Sequence, residues 1–112
     1  EKLGRHEEAM EYYQESLEIK ENQAGEEHPL VATTLNNLAE LYRLTGNLQQ
    51  SQQNHERAVN ILKKEYGEKH ALVAKSLNNI GLVYEGQSKF QEAIDSFELA
   101  AEINRALFGE SD

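Results

Sequence analysis

The sequence predicts an all-α protein built from antiparallel helix pairs that stack on one another. The stretch LNNLAELY at 35–42 returns as LNNIGLVY at 77–84. Laid over each other at a shift of 42, residues 28–69 and 70–111 match at fourteen positions without a gap. A fixed period of about 20–50 residues is typical of stacked repeat architectures. The apolar residues keep helical spacing, and no alternating pattern indicates a strand.

Five helices with short loops account for the chain. The first is predicted from about 6 to 24 and ends at Gly25, where a left-handed residue suits a helix C-terminus. Pro29 suits the first turn of the second helix, because its missing N–H has no partner there. Turn residues at 45–47, 67, 86–88 and 109 separate the rest. The four remaining helices are predicted at about 30–44, 48–66, 72–85 and 90–108.

The repeat divides the chain into three segments. Residues 3–28 line up with 45–70 at the same shift of 42. Residues 1–27 are therefore predicted to be the second helix of a truncated repeat with its linker. Complete repeats are expected at 28–69 and 70–112. Because the chain opens without an initiator methionine, we expect it to be a piece of a longer protein.

Large and small residues recur at fixed spacing in each repeat. The last repeat has Leu77, Ile80, Gly81, Tyr84, Ala93, Phe97 and Ala100. The middle repeat has Leu35, Leu38, Ala39, Tyr42, Ser51, His55 and Ala58, and the first has Ala9, Tyr13 and Ser16. This spacing resembles the tetratricopeptide pattern, W-x2-L-G-x2-Y followed by A-x3-F. The resemblance covers essentially the whole chain and implies a right-handed superhelix of about two and a half repeats.

The length of the period indicates which kind of tetratricopeptide repeat the chain resembles. The standard repeat has about 34 residues, whereas this one has 42. With HPLVATTLNNLAELY and HALVAKSLNNIGLVY, the repeats resemble those of kinesin light chains and their relatives. The middle repeat departs from the pattern at Ser51 and His55, which replace a small apolar residue and an aromatic. We expect looser packing there.

Composition excludes several functions. The net charge of −9 disfavours nonspecific binding to nucleic acid or to an anionic membrane, and we expect neither partner. No apolar run approaches the ~18 residues of a membrane span. Cysteine is absent, which excludes disulfides and thiolate metal sites. A reducing compartment fits this composition, and the predicted location is cytoplasmic.

The resemblance places the first helix of each pair on the inner, concave wall. Asparagine is a poor residue inside a helix, yet adjacent pairs recur there. An asparagine amide both donates and accepts, so it suits the backbone of an extended peptide. One asparagine of each pair could instead bond across to the neighbouring repeat, and Lys75 could simply be solvated. The candidate peptide-binding residues are Asn37, Asn79, Asn36, Asn78, Lys75, Thr33 and Arg43.

Catalytic and metal chemistry find no support in the sequence. His28 and His70 recur because the linker recurs, and a metal site would need further ligands beside them. His55 stands at a core position and is predicted to be a packed histidine. Without a cysteine nucleophile, a phosphate-binding glycine loop or an HExxH motif, no enzyme activity and no cofactor are expected.

The predicted function is protein–protein interaction, with a peptide or a partner helix in the concave groove. The alternative is a scaffold segment whose surfaces serve repeat stacking or self-association. Terminal repeats normally need a polar outer face, whereas Leu107 and Phe108 near the end are apolar. We therefore expect a homodimer through the exposed terminal helices, formed end to end or by helix exchange.

Overall fold

A computed structural model describes residues 2–109 of the chain, with side chains from residue 4 onward. Five helices follow one another within this part, and it contains no strand. They are α1 (Lys2–Ala24), α2 (Pro29–Leu44), α3 (Leu48–Tyr66), α4 (Ala71–Gly86) and α5 (Phe90–Phe108). The predicted number of helices and the ends of α3 and α5 are confirmed. Helix α1 begins earlier than predicted, because Lys2, Leu3 and Arg5 are good helix formers and offset the poor propensity of Gly4.

The helices stack in chain order. Each helix packs against its neighbour in sequence, and α2 also touches α4. The assembly is elongated, with extents of 44 × 33 × 22 Å and a radius of gyration of 14.6 Å. A compact globule of this length has a radius of about 13 Å. This arrangement confirms the predicted all-α solenoid. The segment boundaries stay predictions, and residues 1 and 110–112 lie outside the described part.

The core lies where one helix pair stacks on the next. Val31 and Leu35 of α2 meet Ile61 of α3, Val73 of α4 and Ala100 of α5 in one cluster of buried side chains. Leu17 of α1 packs against its edge. No described side chain of α1 is fully buried. None of the described helices is long and apolar enough to cross a membrane.

Helices α4 and α5 approach closely at Gly81. A Cβ atom placed there would lie 2.6 Å from Cε1 of Phe97. The glycine therefore leaves room for the aromatic ring, as the repeat pattern predicts. The equivalent pair in α2 and α3 is Ala39 and His55, a slightly larger residue opposite a smaller ring.

The prediction of looser packing around Ser51 and His55 is wrong. Both side chains have no exposed surface. The Ser51 hydroxyl donates to the Ala39 carbonyl oxygen at 2.7 Å, and His55 Nδ1 lies 2.9 Å from Asn36 Oδ1. These two hydrogen bonds allow polar side chains to be buried at positions where the pattern has apolar ones, so both residues lie within the core of this repeat.

Candidate peptide-binding groove

A groove of about 240 Å³ lies between α2 and α4, closed at its base by the end of α3. Five of the seven predicted site residues line it, two of them asparagines from adjacent helices at equivalent repeat positions. The lining residues are Thr33, Asn36, Asn37, Glu40, Leu62, Leu72, Lys75 and Asn79.

Helical spacing explains why these side chains share one surface. Thr33, Asn37 and Glu40 are four and three residues apart on α2, so they lie on one face. Leu72, Lys75 and Asn79 are spaced three and four apart on α4. The opposite faces of both helices are buried in the core. Burial of the apolar stripes therefore turns the polar stripes towards a common groove.

Asn36 is held in place by its own hydrogen bonds. Its Nδ2 donates to the Ser76 hydroxyl on α4 at 2.9 Å. Its Oδ1 therefore faces His55 Nδ1 on α3, at 2.9 Å, and accepts from it. One amide thus joins three helices from two repeats. Asn36 lines the groove, but both ends of its amide are already bonded.

Asn37 and Asn79 differ from Asn36 in this respect. Neither side chain forms a hydrogen bond with another residue in the part of the chain that the structure describes. Asn37 is exposed and Asn79 is half-buried. Lys75 is exposed, and its ammonium forms no ion pair with any described carboxylate. The groove therefore presents two unbonded amides and one unpaired cation.

Two predicted residues lie outside the groove lining. Arg43 pairs with Glu40 one turn earlier on α2, with Nε 3.2 Å from Oε1. This hydrogen bond raises the pKa of Arg43 above its ordinary value. Asn78 is exposed on α4 and is not among the lining residues. Arg43 thus acts on the groove only through the carboxylate that it holds.

Two leucines of the groove were missed at the sequence level. Leu62 is buried at the end of α3, and Leu72 is 41% exposed at the start of α4. Leu72 does carry a signal in the sequence. Its equivalent one repeat earlier, Leu30, is also exposed, so a leucine recurs outside the core stripe. The two leucines add apolar contacts to a groove whose other lining residues are polar.

The histidines of the linkers serve as helix caps. His28 Nδ1 accepts from the Leu30 N–H at 3.1 Å, and His70 Nδ1 accepts from the Leu72 N–H at 3.0 Å. Among the described residues, no three His, Asp or Glu side chains are grouped so that they could hold a metal ion.

Stacked antiparallel helix pairs with a groove between their first helices define the class of α-solenoid repeat proteins. The chain belongs to the tetratricopeptide repeat family, whose model matches residues 1–64 and 30–106. Together these matches extend over nearly the whole sequence, and they confirm the resemblance of its pattern residues.

Within that family, the chain is similar to proteins of the kinesin light chain branch. Protein KINESIN LIGHT CHAIN-RELATED 1 of Arabidopsis thaliana is 44% identical over 50 residues, which cover 45% of this chain and 8% of that protein. The crystal structure of BtubC (BKLC) from P. vanneervenii matches with a TM-score of 0.88 at 31% identity. That match covers 99% of this chain and 44% of the solved chain. The chain thus spans less than half the length of these relatives.

Proposed function

We propose that the groove between α2 and α4 binds an extended peptide or a partner helix of another protein. Tetratricopeptide repeats generally mediate protein–protein interaction, and the lining of this groove supports the proposal that such binding occurs here. The observation that carries the proposal is the pair of unbonded amides, Asn37 and Asn79, on facing helices beside the unpaired Lys75. Asn79 is half-buried, and buried side-chain amides usually have a hydrogen-bond partner, which a ligand in the groove would supply. Asn37 is exposed on the facing helix, where its amide is free to bind the same ligand.

The chemistry of the lining suggests how a peptide would bind. Asn37 and Asn79 can each donate to a peptide carbonyl and accept from a peptide N–H, which reads no side-chain sequence. Lys75 would attract a peptide carboxylate, since charge-assisted hydrogen bonds are the stronger ones. Leu72 would contact an apolar side chain. Asn36 would act as a positioning residue, because its amide is used in joining α2 to α3 and α4.

The direct test replaces both amides while leaving the fold intact. We expect Asn37→Leu with Asn79→Leu to weaken binding of a peptide selected from a random library roughly tenfold, since two hydrogen bonds are lost. Circular dichroism should show unchanged helicity. The matched control is Asn78→Leu, an exposed asparagine outside the groove. Equal affinity of the double variant and the control would contradict the proposal.

A second candidate function is self-association, as in a scaffold. Several apolar side chains of the terminal helices are exposed, including Tyr12 on α1 and Phe90 and Phe108 on α5, at 67%, 61% and 73%. Pairing of these faces would remove apolar area from water. Light scattering across a concentration range tests this: a concentration-dependent dimer supports pairing of the ends, and a monomer throughout contradicts it.

Three expectations from the sequence remain predictions. They are that the protein is not an enzyme, that it needs no cofactor, and that it acts in the cytoplasm without binding nucleic acid or membrane. Fluorescence microscopy of the tagged full-length protein would test the location.

A further inference from the structure

A second cavity, of about 270 Å³, lies away from the α2–α4 groove, where the ends of α3 and α5 meet the linker after α3. Three of the chain's eleven lysines and arginines line it. These are Lys63, Lys69 and Arg105, and between them lie the apolar side chains of Leu99, Ile103 and Ala106. Such a concentration of cations is notable in a chain of net charge −9.

The preceding junction, between α1 and α3, shows what normally occupies this position. There Arg57 donates to a Glu21 carboxylate oxygen at 2.6 Å, and Lys64 donates to Glu27 at 2.6 Å. Two ion pairs thus connect the end of one helix and its linker to the next repeat. The junction is closed by groups of the chain itself.

At the second junction these charges are reversed and their partners are missing. A shift of 42 residues brings Glu21 onto Lys63 and Glu27 onto Lys69. The same shift brings Arg57 onto Leu99, and Lys64 onto Ala106. Where the first junction has two ion pairs, the second has two cations facing apolar side chains. Among the described residues, neither these lysines nor Arg105 forms an ion pair.

We propose that this cavity, which we term the α3–α5 pocket, binds an acidic protein segment that carries an apolar side chain between two carboxylates. The carboxylates would bind Lys63 and Lys69, and the apolar side chain would contact Leu99 and Ile103.

At the first junction, Arg57 and Lys64 are the groups that pair with Glu21 and Glu27, the counterparts of Lys63 and Lys69. Arg57 and Lys64 are seven residues apart on α3, which corresponds to about 10 Å along the helix axis. We take the same separation for the two carboxylates of the ligand, and residues about three apart in an extended chain span it.

The remaining lining favours separated carboxylates over a phosphate group. Glu68 and Glu102 also line the cavity, so its five charged side chains, three cations and two carboxylates, sum to +1. The cavity also lies at the C-terminal ends of α3 and α5, where the helix dipoles oppose a dense negative charge. Two carboxylates held apart by an apolar side chain can each bind a lysine without concentrating negative charge near Glu68, Glu102 and the helix C-termini.

Binding of a labelled acidic peptide to the full chain tests the proposal. The probe has aspartates three residues apart with leucine between them, and its partner probe has asparagine in place of each aspartate. We expect Lys63→Glu with Lys69→Glu to weaken binding of the aspartate probe at least roughly tenfold, the effect of losing two partly exposed ion pairs. The asparagine probe should bind no better to the wild type than to this variant.

A closing variant provides the sharpest comparison. Adding Leu99→Arg and Ala106→Lys to the double variant recreates the two ion pairs of the first junction within the second. We expect this fourfold variant to fold at least as stably as the double variant, measured by thermal unfolding, and to have lost the probe. Retained binding would overturn the proposal.

The control for long-range electrostatics is Arg5→Glu with Lys89→Glu, two exposed cations outside both cavities, which makes the same change in net charge elsewhere. This variant should bind the aspartate probe as the wild type does, and amide NMR shifts should cluster around Lys63, Lys69 and Leu99. Loss of binding in the control would show that net charge alone attracts the probe, and shifts centred on Asn37 and Asn79 would assign the probe to the α2–α4 groove. Either result would overturn the proposal. Displacement by inorganic phosphate that depends on Lys63 and Lys69 would overturn the choice of a carboxylate ligand.

Discussion

The linker histidines act as acceptors at the starts of α2 and α4. Through Nδ1, His28 and His70 each accept from the N–H two residues on, at 3.1 and 3.0 Å. The first N–H groups of a helix have no partner within it, so a side-chain acceptor stabilises the helix start. Recurrence of these histidines is therefore explained by capping.

Removing a cap should destabilise the protein. We expect His28→Ala to lower the free energy of unfolding by about 1 kcal/mol, the usual effect of losing an N-cap. His28→Asp should retain the stability of the wild type, because a carboxylate both accepts the hydrogen bond and interacts favourably with the positive end of the helix dipole. Urea denaturation measures both variants. Equal stability of His28→Ala and wild type would show that the hydrogen bond contributes nothing.

His55 is a neutral imidazole enclosed by the helix pair α2–α3. Burial lowers the pKa of His55 to about 4, the Glu40 carboxylate opposes this shift, and the Arg43 guanidinium adds to it. Nδ1 is bonded to Asn36, whereas Nε2 is buried without a partner among the described residues. A proton on Nε2 would thus create a buried positive charge whose N–H has no hydrogen-bond acceptor among the described residues.

This environment predicts a loss of stability in mild acid. The unfolded chain takes up a proton on His55 near its ordinary pKa of 6.5, and the folded chain does so only near 4. The contribution of His55 to the free energy of unfolding is therefore fully present above its unfolded pKa of 6.5. It decreases by about 3 kcal/mol in total as the pH drops towards 4. His55→Phe should remove this contribution, as seen in urea denaturation at several pH values. Ser51→Ala, which disturbs the same helix pair without a titratable group, should retain it.

At the scale of the helix pair, the sizes of facing residues are coupled. Gly81 leaves room for the Phe97 ring in α4–α5, and Ala39 faces His55 in α2–α3. Three ring atoms of Phe97 lie within 2.9 Å of the position that the Cβ of an alanine at residue 81 would take. Alanine at this position and phenylalanine at 97 therefore do not fit together. Each pair of helices has its own combination of a small residue and a ring.

A double-mutant cycle tests this coupling. We expect Gly81→Ala alone to destabilise the protein by about 1–3 kcal/mol through overpacking. In the background of Phe97→His, the same change should be neutral or stabilising, since alanine favours a helix over glycine by about 1 kcal/mol. Chemical denaturation of the four proteins gives the coupling energy. Additive effects would mean that the ring moves aside without strain.

Hydrogen bonds between repeats also recur with the period. Gln14 Nε2 donates to the Tyr42 hydroxyl at 3.2 Å, and the Tyr84 hydroxyl lies 3.4 Å from Glu56 Oε2. Both tyrosines and both partners are related by the shift of 42 residues. Each of these hydrogen bonds joins a tyrosine of α2 or α4 to the helix that precedes it in the chain.

At the scale of the whole molecule, stability should vary along the stack. In a solenoid each unit contacts only its neighbours, so stability is the sum of local terms. Helix α1 packs on α2, contacts α3 through the Arg57–Glu21 ion pair, and has no fully buried side chain among those described, whereas α2 and α4 are covered on two sides. The end of the stack at α1 is therefore held by the fewest contacts.

Amide hydrogen exchange should follow this gradient. We expect the lowest protection in α1 and the highest in α2, α3 and α4, because local opening is easiest where little apolar surface is buried. Mass spectrometry of exchanged peptides resolves the five helices separately. Equal protection in all five would indicate a single cooperative unit and contradict the nearest-neighbour account.

The sequence by itself determined the repeat, the helices and the faces they present. Helix starts and ends depend on residues within a turn of each other, as at Pro29 and Gly67, and the period can be counted directly. Five of the groove residues could be predicted for the same reason: positions three and four apart on a helix share a face whatever surrounds them.

Only the tertiary structure decided which side chains of those faces are already used. Asn36 and Asn37 are adjacent and chemically identical, yet Asn36 is bonded to Ser76, which is 40 residues away, and to His55, 19 residues away. The change from glutamate to lysine at the second junction creates a cationic cavity only because α5 lies beside the end of α3. Contacts between distant residues depend on how the helices stack, and spacing along one helix does not contain that information.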